Sequence, residues 1–184
     1  MEFAYPRPQL RRRDWTSLNG RWRFRFDHDR QFSRPSDVDD WPLSITVPFA
    51  PETEASGIAD QRFHSACWYQ REFDCAPGAD RVILRFGAVD YAARVWVNGH
   101  LAATHESGHT PFSADITNLL DASGVQVLTV FAEDDPHDLT KPRGKQDWQE
   151  LPHSIWYPRT IGIWQTLWFE RVSRTYVEKL RWTP

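Results

Sequence analysis

The sequence has no long apolar run and little excess of either charge sign. A membrane-spanning helix needs at least ~18 apolar residues in a row, and no segment of the 184 residues approaches that length. The formal net charge is −3, from 22 basic and 25 acidic residues. A balance so close to neutral provides no electrostatic reason to bind nucleic acid or an anionic membrane. We therefore expect neither as a partner.

Cysteine is scarce, with Cys67 and Cys75 as the only two. We predict that they lie at opposite ends of one strand, about 26 Å apart, far beyond the ~7 Å reach of a disulfide. Two free thiols in a reducing compartment are therefore expected. Residues 1–10 also lack the basic start and apolar stretch of a secretory signal. This predicts a cytoplasmic location, with earlier removal of a signal left open.

Motifs that hold metals or cofactors are also missing. His137, Asp138 and His153 lack the spacing of a metal site, and two distant thiols do not begin a zinc site. The sequence contains no glycine-rich phosphate loop and no nucleophile elbow. We expect no metal and no cofactor.

Aromatic residues, in contrast, are abundant, with ten Trp, eleven Phe and five Tyr. Aromatic side chains suit the pleated, half-buried surface of a sheet. The 13 Pro and nine Gly indicate many turns and few long helices. A chain of 184 residues fits one domain with a sizeable core. The composition predicts a single all-β domain over residues 1–184.

Apolar and polar residues alternate repeatedly along the chain. Residues 21–26 place three aromatics on one face and three arginines on the other. Asn98-Gly99 is the strongest hairpin signal. Roughly nine or ten strands with sandwich-like spacing are predicted, at residues 21–26, 45–49, 68–73, 81–86, 91–97, 100–104, 112–116, 125–131, 163–169 and 176–182.

One long irregular stretch, residues 134–160, interrupts this pattern. A loop of that length in a compact domain is usually functional or disordered. Its aromatics Trp148, Trp156 and Tyr157 argue against disorder. The acids Asp134, Asp135 and Asp138 are interpreted as a solvated turn. We predict an ordered, functional loop.

A set of motifs follows in order along the chain: Trp15-Thr-Ser-Leu-Asn-Gly-Arg-Trp22, Val47-Pro-Phe-Ala-Pro-Glu52, Trp68-Tyr-Gln-Arg-Glu-Phe73, Phe86-Gly-Ala-Val-Asp-Tyr91, Val95-Trp-Val-Asn-Gly99, Asp115-Ile-Thr-Asn-Leu119 and Gly162-Ile-Trp-Gln-Thr-Leu-Trp-Phe-Glu170. Together they resemble the amino-terminal sugar-binding domain of glycoside hydrolase family 2, the β-galactosidase and β-glucuronidase type. The resemblance covers nearly the whole chain and implies a jelly-roll β-sandwich. It also implies a parent glycosidase in which an immunoglobulin-like domain and a TIM barrel follow, the barrel supplying both catalytic glutamates. The chain is therefore expected to be a fragment.

The resemblance has a gap at the sugar site. The family pattern places an Asp six residues before the Gly of the Gly-Ile-aromatic element, and counting back from Gly162 leads to Trp156. Asp147 or Glu150 can replace that acid only through a rearranged loop. No Asn near Ser44 matches the β-galactosidase pattern, so galactose specificity is not indicated.

Catalysis by the chain itself is not expected. Glycoside cleavage needs two carboxyl groups ~5 to 9 Å apart, one with a raised pKa. The 25 acidic residues form no recognisable pair of this kind. We predict no catalytic residue here, and no hydrolysis by the fragment alone.

The candidate sugar contacts lie on the long loop. Sugars offer apolar faces to aromatic rings and hydroxyls to polar side chains. The predicted substrate-binding residues are Arg143, Lys145, Gln146, Asp147, Trp148 and Trp156. Arg143 and Lys145 would also suit the carboxylate of a uronic acid. An alternative is that Trp156, Tyr157 and Trp164 fill the sandwich core.

Two functions therefore remain open. The chain is either a non-catalytic carbohydrate-binding module of a longer glycosidase, or an autonomous carbohydrate-binding module or lectin with a complete site of its own. Carbohydrate is the expected ligand in both cases, and in the first the downstream domains of the parent are partners.

Overall fold

The structure is a computed structural model and describes residues 4–183, an all-β fold of antiparallel strands. Residues 1–3 and 184 of the predicted domain lie outside this range. Twelve strands occur within the described residues: β1 (Trp15–Ser17), β2 (Gly20–Phe26), β3 (Leu43–Val47), β4 (Ala66–Asp74), β5 (Arg81–Phe86), β6 (Val89–Asp90), β7 (Ala92–Val97), β8 (His100–Glu106), β9 (Phe112–Asp115), β10 (Val125–Glu133), β11 (Gly162–Ile163) and β12 (Leu167–Val172). Short 3₁₀ turns lie at Pro8–Leu10, Pro35–Asp37, Glu54–Ser56 and Thr117–Leu119.

Two main sheets form the sandwich. The six-stranded sheet has the order β3-β2-β4-β10-β7-β8 and the four-stranded sheet the order β1-β12-β5-β9. A third, two-stranded ladder joins β11 to β6. The nine-residue strands β4 and β10 pair along their whole length at the centre of the larger sheet. This is the jelly-roll β-sandwich that the sequence predicts.

The main core lies between the sheets and follows the alternation of the sequence. In β2, Trp22 and Phe24 are buried, whereas Arg21 and Arg23 are exposed. Phe24 pairs with Tyr69 of β4 across the sheet, and their rings meet edge-on at 5.0 Å. Burial of such large aromatic groups is the main stabilising contribution in a sandwich of this kind.

A second apolar cluster covers the outer face of the six-stranded sheet. Trp68, Trp96 and Phe131 point to this face, and the rings of Trp68 and Trp96 stack with centroids 5.5 Å apart. Residues 27–42 lie over them, with Val38 buried in the cluster. Nε1 of Trp68 donates a 3.0 Å hydrogen bond to Oδ2 of Asp27, which satisfies the one polar atom of the buried indole.

The strand prediction is wrong in number and at the end of the chain. The predicted strand 163–169 is broken at residues 164–166 into β11 and β12, and the short strands β1 and β6 were not predicted. Residues 176–182 form no strand. Instead, the ring of Tyr176 lies near the guanidinium groups of Arg12 and Arg81, at 5.6 and 5.7 Å. Cation–π contacts thus replace a ladder there.

The cysteine prediction is confirmed within residues 4–183. Cys67 lies near the start of β4 and Cys75 directly after its end, and both are buried free thiols. The extended strand between them holds them apart.

No helix in the described part of the chain has the length and apolar character needed to cross a membrane.

Candidate functional site

The loop 134–160 is ordered by its own backbone. The amide of Asp147 donates to the carbonyl of Tyr157 at 2.8 Å, and the amide of Tyr157 donates to the carbonyl of Lys145 at 2.9 Å. These bonds make a short parallel bridge between Gln146 and Tyr157. The two halves of the loop therefore run side by side, and the sandwich carries a defined surface at this position.

An ion pair closes the base of this loop, and a side chain in its middle attaches it to the sandwich. Asp134 and Arg159 form an ion pair that closes its base, and both side chains are more than nine-tenths buried. Gln146 bridges the middle of the loop: its Nε2 donates to Oδ2 of Asp90 in β6 at 3.0 Å, and its Oε1 accepts from the amide of Thr160 at 2.9 Å. The interpretation of Asp134 as part of a solvated turn is wrong, because Arg159 provides a buried counter-charge.

Asp147, one of the predicted substrate-binding residues, is fully buried. Its carboxylate accepts hydrogen bonds from the amides of Gln149 and His153, at 3.0 and 2.7 Å, and lies 2.7 Å from Nδ1 of His153. Burial acts to raise the pKa of Asp147, but these hydrogen bonds outweigh it and lower the pKa. The carboxylate thus holds the turn from 147 to 153.

The aromatic residues of the loop pack against each other. Trp148 is 50% exposed, and its ring meets that of Trp156 edge-on with centroids 5.2 Å apart. Tyr157 is 62% exposed, and Trp156 and Trp164 are half-buried. None of Trp156, Tyr157 and Trp164 belongs to the buried core clusters of the described residues. The alternative that they fill the core is therefore wrong.

The basic residues of the loop differ in exposure. Gly144 has φ +60°, a left-handed conformation that favours glycine. It forms a turn in which the amide of Gln146 donates to the carbonyl of Arg143. Lys145 is exposed at this turn, whereas Arg143 is half-buried. Of the six predicted site residues, Lys145 and Trp148 are therefore exposed, Arg143, Gln146 and Trp156 are half-buried, and Asp147 is buried.

Sequence reasoning missed a group of buried acids beneath the loop. Glu52, Asp90 and Asp134 are all buried. Burial raises the pKa of Glu52 to about 8, and the neighbouring Asp90 adds to this effect. Burial likewise raises the pKa of Asp134 to about 6 and that of Asp90 above its usual value. The one sequence feature that could have indicated this burial is that Asp90 directly follows the apolar residues Ala88 and Val89.

A close backbone approach fixes the end of the loop. Gly162 has φ +87°, and a Cβ at this position would overlap the hydroxyl of Tyr69. The same hydroxyl oxygen accepts a hydrogen bond from the amide of Ile163 at 3.3 Å. Gly162 also pairs with Asp90 in the two-stranded ladder. The Gly-Ile element therefore returns the chain from the loop to the sandwich beside the buried acids.

The antiparallel two-sheet sandwich has the architecture of a galactose-binding-like domain. Residues 45–175 match the family model described as glycosyl hydrolase 2 galactose-binding domain-like, and the chain belongs to this family.

Its relatives include β-glucuronidases. That of Canis lupus familiaris is 36% identical over an alignment of 137 residues, which covers 65% of this chain and 20% of the relative. That of Paenibacillus borealis is 30% identical over an alignment of 149 residues, which covers 78% of this chain and 25% of the relative. A solved structure of Faecalibacterium prausnitzii β-glucuronidase matches with a TM-score of 0.68 and 26% identity, covering 94% of this chain and 33% of that one. The chain thus spans a third or less of these longer proteins.

Proposed function

We propose that the chain is the non-catalytic carbohydrate-binding module of a family 2 glycoside hydrolase, in which a TIM barrel outside this chain hydrolyses a β-glycoside. The observation that carries the proposal is the loop 134–160. It is anchored from below through Asp134 and Gln146, and it presents Trp148 and Lys145 outward. A fixed aromatic face beside a cation suits a sugar ring with an acidic substituent.

The same loop offers a surface for the rest of the parent protein. Five large apolar side chains on it are exposed, namely Leu139, Trp148, Leu151, Ile155 and Tyr157. Several exposed large apolar groups on one loop favour an interaction site. The length of the matched relatives supports additional domains. We infer that the loop lies at the border with the catalytic barrel and contributes one wall of the sugar site.

A β-glucuronide is the substrate that we infer for the parent. A glucuronide carries a carboxylate, and Lys145 with Arg143 can provide a positive field for it. The matched relatives are β-glucuronidases. Trp156 occupies the position at which the family pattern has an Asp, so Trp148 and Trp156 would provide apolar contact where the family uses a carboxylate.

The alternative, an autonomous carbohydrate-binding module, differs in what the chain binds by itself. A module with a complete site binds its sugar at micromolar to low millimolar concentration, whereas one wall of a shared site binds far more weakly. Titrate the 184-residue chain with glucuronic acid and with phenyl β-glucuronide by calorimetry. We expect no saturation below about 10 mM. Saturable binding that Trp148→Ala removes would favour the autonomous module.

Activity tests the remainder of the proposal. The chain alone should turn over no β-glucuronide, β-galactoside or β-mannoside chromogen. In a protein that joins this chain to its downstream domains, Trp148→Ala and Arg143→Ala should lower kcat/KM for the β-glucuronide at least about 10-fold. Leu101→Ala, an exposed apolar residue on β8, is the matched control and should leave the rate unchanged. Equal effects of Trp148→Ala and Leu101→Ala would contradict a role for the loop.

A further inference from the structure

Three carboxyl groups are buried at the base of the loop and interact with a single guanidinium group. Glu52, Asp90 and Asp134 are 7%, 4% and 4% exposed, and the Arg159 side chain is 9% exposed. Arg159 pairs with Asp134, and Asp90 accepts its closest hydrogen bond from the neutral amide of Gln146. If all three acids were ionised, the cluster would hold two negative charges in excess of Arg159.

Of the three acids, Glu52 has the fewest side-chain partners that could stabilise a buried negative charge. Oε2 of Glu52 is buried and has no hydrogen-bond partner among residues 4–183. The charged and titratable groups that interact with it are Asp90 of β6, Arg159 of the loop, and the thiol and hydroxyl of Cys67 and Tyr69 on β4. The backbone amides of Glu52 and Ile161 favour its ionised form, but burial outweighs them and raises the pKa. Arg159 is the one cation in this set, and it is already paired.

The rest of the cluster adds two more cationic or titratable groups. Lys141 lowers the pKa of Asp134, and His109 lowers that of Asp90. Neither of them is among the groups that shift the pKa of Glu52. A buried carboxyl group without its own counter-charge favours the neutral, protonated form.

We propose that this cluster is a proton-dependent latch for the loop, which stays docked on the sandwich while Glu52 holds its proton and is released as the proton is lost. An ionised Glu52 has two means of gaining stabilisation. It can draw Arg159 away from Asp134, or it can admit water to the cluster. Both disrupt the Asp134–Arg159 pair that closes the loop and the Gln146–Asp90 bond that anchors its middle.

The direction of the pH dependence follows from burial. The pKa of Glu52 is about 8 in the folded chain and 4.5 as a free side chain. Stabilisation by the neutral group is therefore complete below about 4.5 and is lost as the pH rises through about 8. Release of the loop would alter its contact with a catalytic domain, a consequence that rests on the proposed function, whereas the latch itself does not.

Hydrogen exchange on the 184-residue chain tests the latch directly. The amides of Asp147 and Tyr157 report docking, because both donate within the loop, and amides paired between β4 and β10 serve as internal reference. Between pH 7 and 9 the ionised fraction of a group with pKa near 8 rises about 10-fold. We expect loop exchange, corrected for the intrinsic base-catalysed rate, to rise by about the same factor relative to the β4–β10 amides.

Matched variants assign this change to Glu52. Glu52→Gln keeps a neutral side chain of similar shape and should abolish the extra rise. Glu54→Gln, on the exposed neighbour in the next turn, should retain it. An equal rise in Glu52→Gln, or none in the unaltered chain, would overturn the latch.

A measurement without substitution covers the case in which Glu52→Gln does not fold. The carboxyl ¹³C resonance of Glu52 in the unaltered chain should titrate between pH 7 and 9, together with the amide resonances of Gln146 and Tyr157. Titration below pH 6 would refute the proposal. Neither readout involves sugar or turnover, so failure of the latch and failure of the proposed function are distinguishable.

Discussion

The hydroxyl of Tyr5 donates a 2.6 Å hydrogen bond to Oε2 of Glu170 in β12, although 165 positions separate the two residues. Glu170 is fully buried and also pairs with Arg85 of β5, whose Nη2 lies 2.9 Å from Oε1. The ring of Tyr5 meets that of Trp15 edge-on at 5.3 Å. The segment before β1 is therefore part of the sandwich and covers the four-stranded sheet.

Removal of this hydroxyl should destabilise the fold. Tyr5→Phe leaves one oxygen of a buried carboxylate without its shortest hydrogen bond, which we expect to cost about 1–2 kcal/mol in the free energy of unfolding. Urea melts of both proteins measure the difference. Tyr157→Phe, on an exposed tyrosine of the loop, should change stability by less than about 0.5 kcal/mol. Similar values for the two variants would mean that the Tyr5–Glu170 bond contributes nothing.

Two tryptophans should differ sharply in their contribution to stability. Trp22 is 2% exposed and its Nε1 donates to the carbonyl of Leu18, so Trp22→Ala should cost about 3–5 kcal/mol. Trp148 is 50% exposed, so Trp148→Ala should cost less than about 1 kcal/mol. Denaturant titration compares them directly. Equal destabilisation would place the loop in the core and remove the basis for a binding role.

Neither cysteine should react while the chain is folded. Burial raises the pKa of both thiols, most strongly that of Cys67, so the reactive thiolate is suppressed as well as shielded. A chromogenic thiol reagent should find no reactive group in the native chain and two after unfolding without reductant. A mass two daltons lower, with no thiol found, would reveal a disulfide and contradict the strand between them.

Acid should weaken the fold through His64. Burial lowers the pKa of this histidine below 6.5, although Asp60 acts in the opposite direction. A depressed pKa means that stabilisation is complete above the unfolded value of 6.5 and is lost as the pH falls through the folded value. The melting temperature should fall less between pH 7 and pH 5 in His64→Gln than it does in the unaltered chain. The exposed His100→Gln should keep the original pH dependence, and the same slope in His64→Gln would exclude His64 as its source.

The strands were predictable where the signal is local. Residues 21–26 alternate strictly, and β2 buries the aromatic face as expected. Asn98 and Gly99 both adopt positive φ, at 51° and 80°, and join β7 to β8 as the hairpin signal predicts. The strand predicted at residues 176–182 is not formed, because alternation does not reveal whether a neighbouring strand is available to pair. That segment lies against the arginines of the N-terminal part instead, where Arg12 donates to the carbonyl of Val177.

The loop shows the limit of sequence reasoning more clearly. Its position and order follow from composition and length. The burial of Asp134 and Asp147 does not, because an acid in a polar segment is normally solvated. Asp134 is buried through Arg159, 25 positions away, and Asp147 through His153 and two backbone amides. Such partners are set by how the loop folds back on itself, which no local pattern encodes.

The stacked indoles of Trp68 and Trp96 also make the outer layer of the sandwich visible to spectroscopy. Rings 5.5 Å apart and inclined by 23° couple their electronic transitions, which splits the indole circular-dichroism band into a pair of opposite sign. Because residues 27–42 hold this pair in place, the split signal follows the closure of that covering segment. Thermal unfolding followed by this circular-dichroism signal and by total tryptophan emission would therefore distinguish loosening of the outer layer from unfolding of the main core.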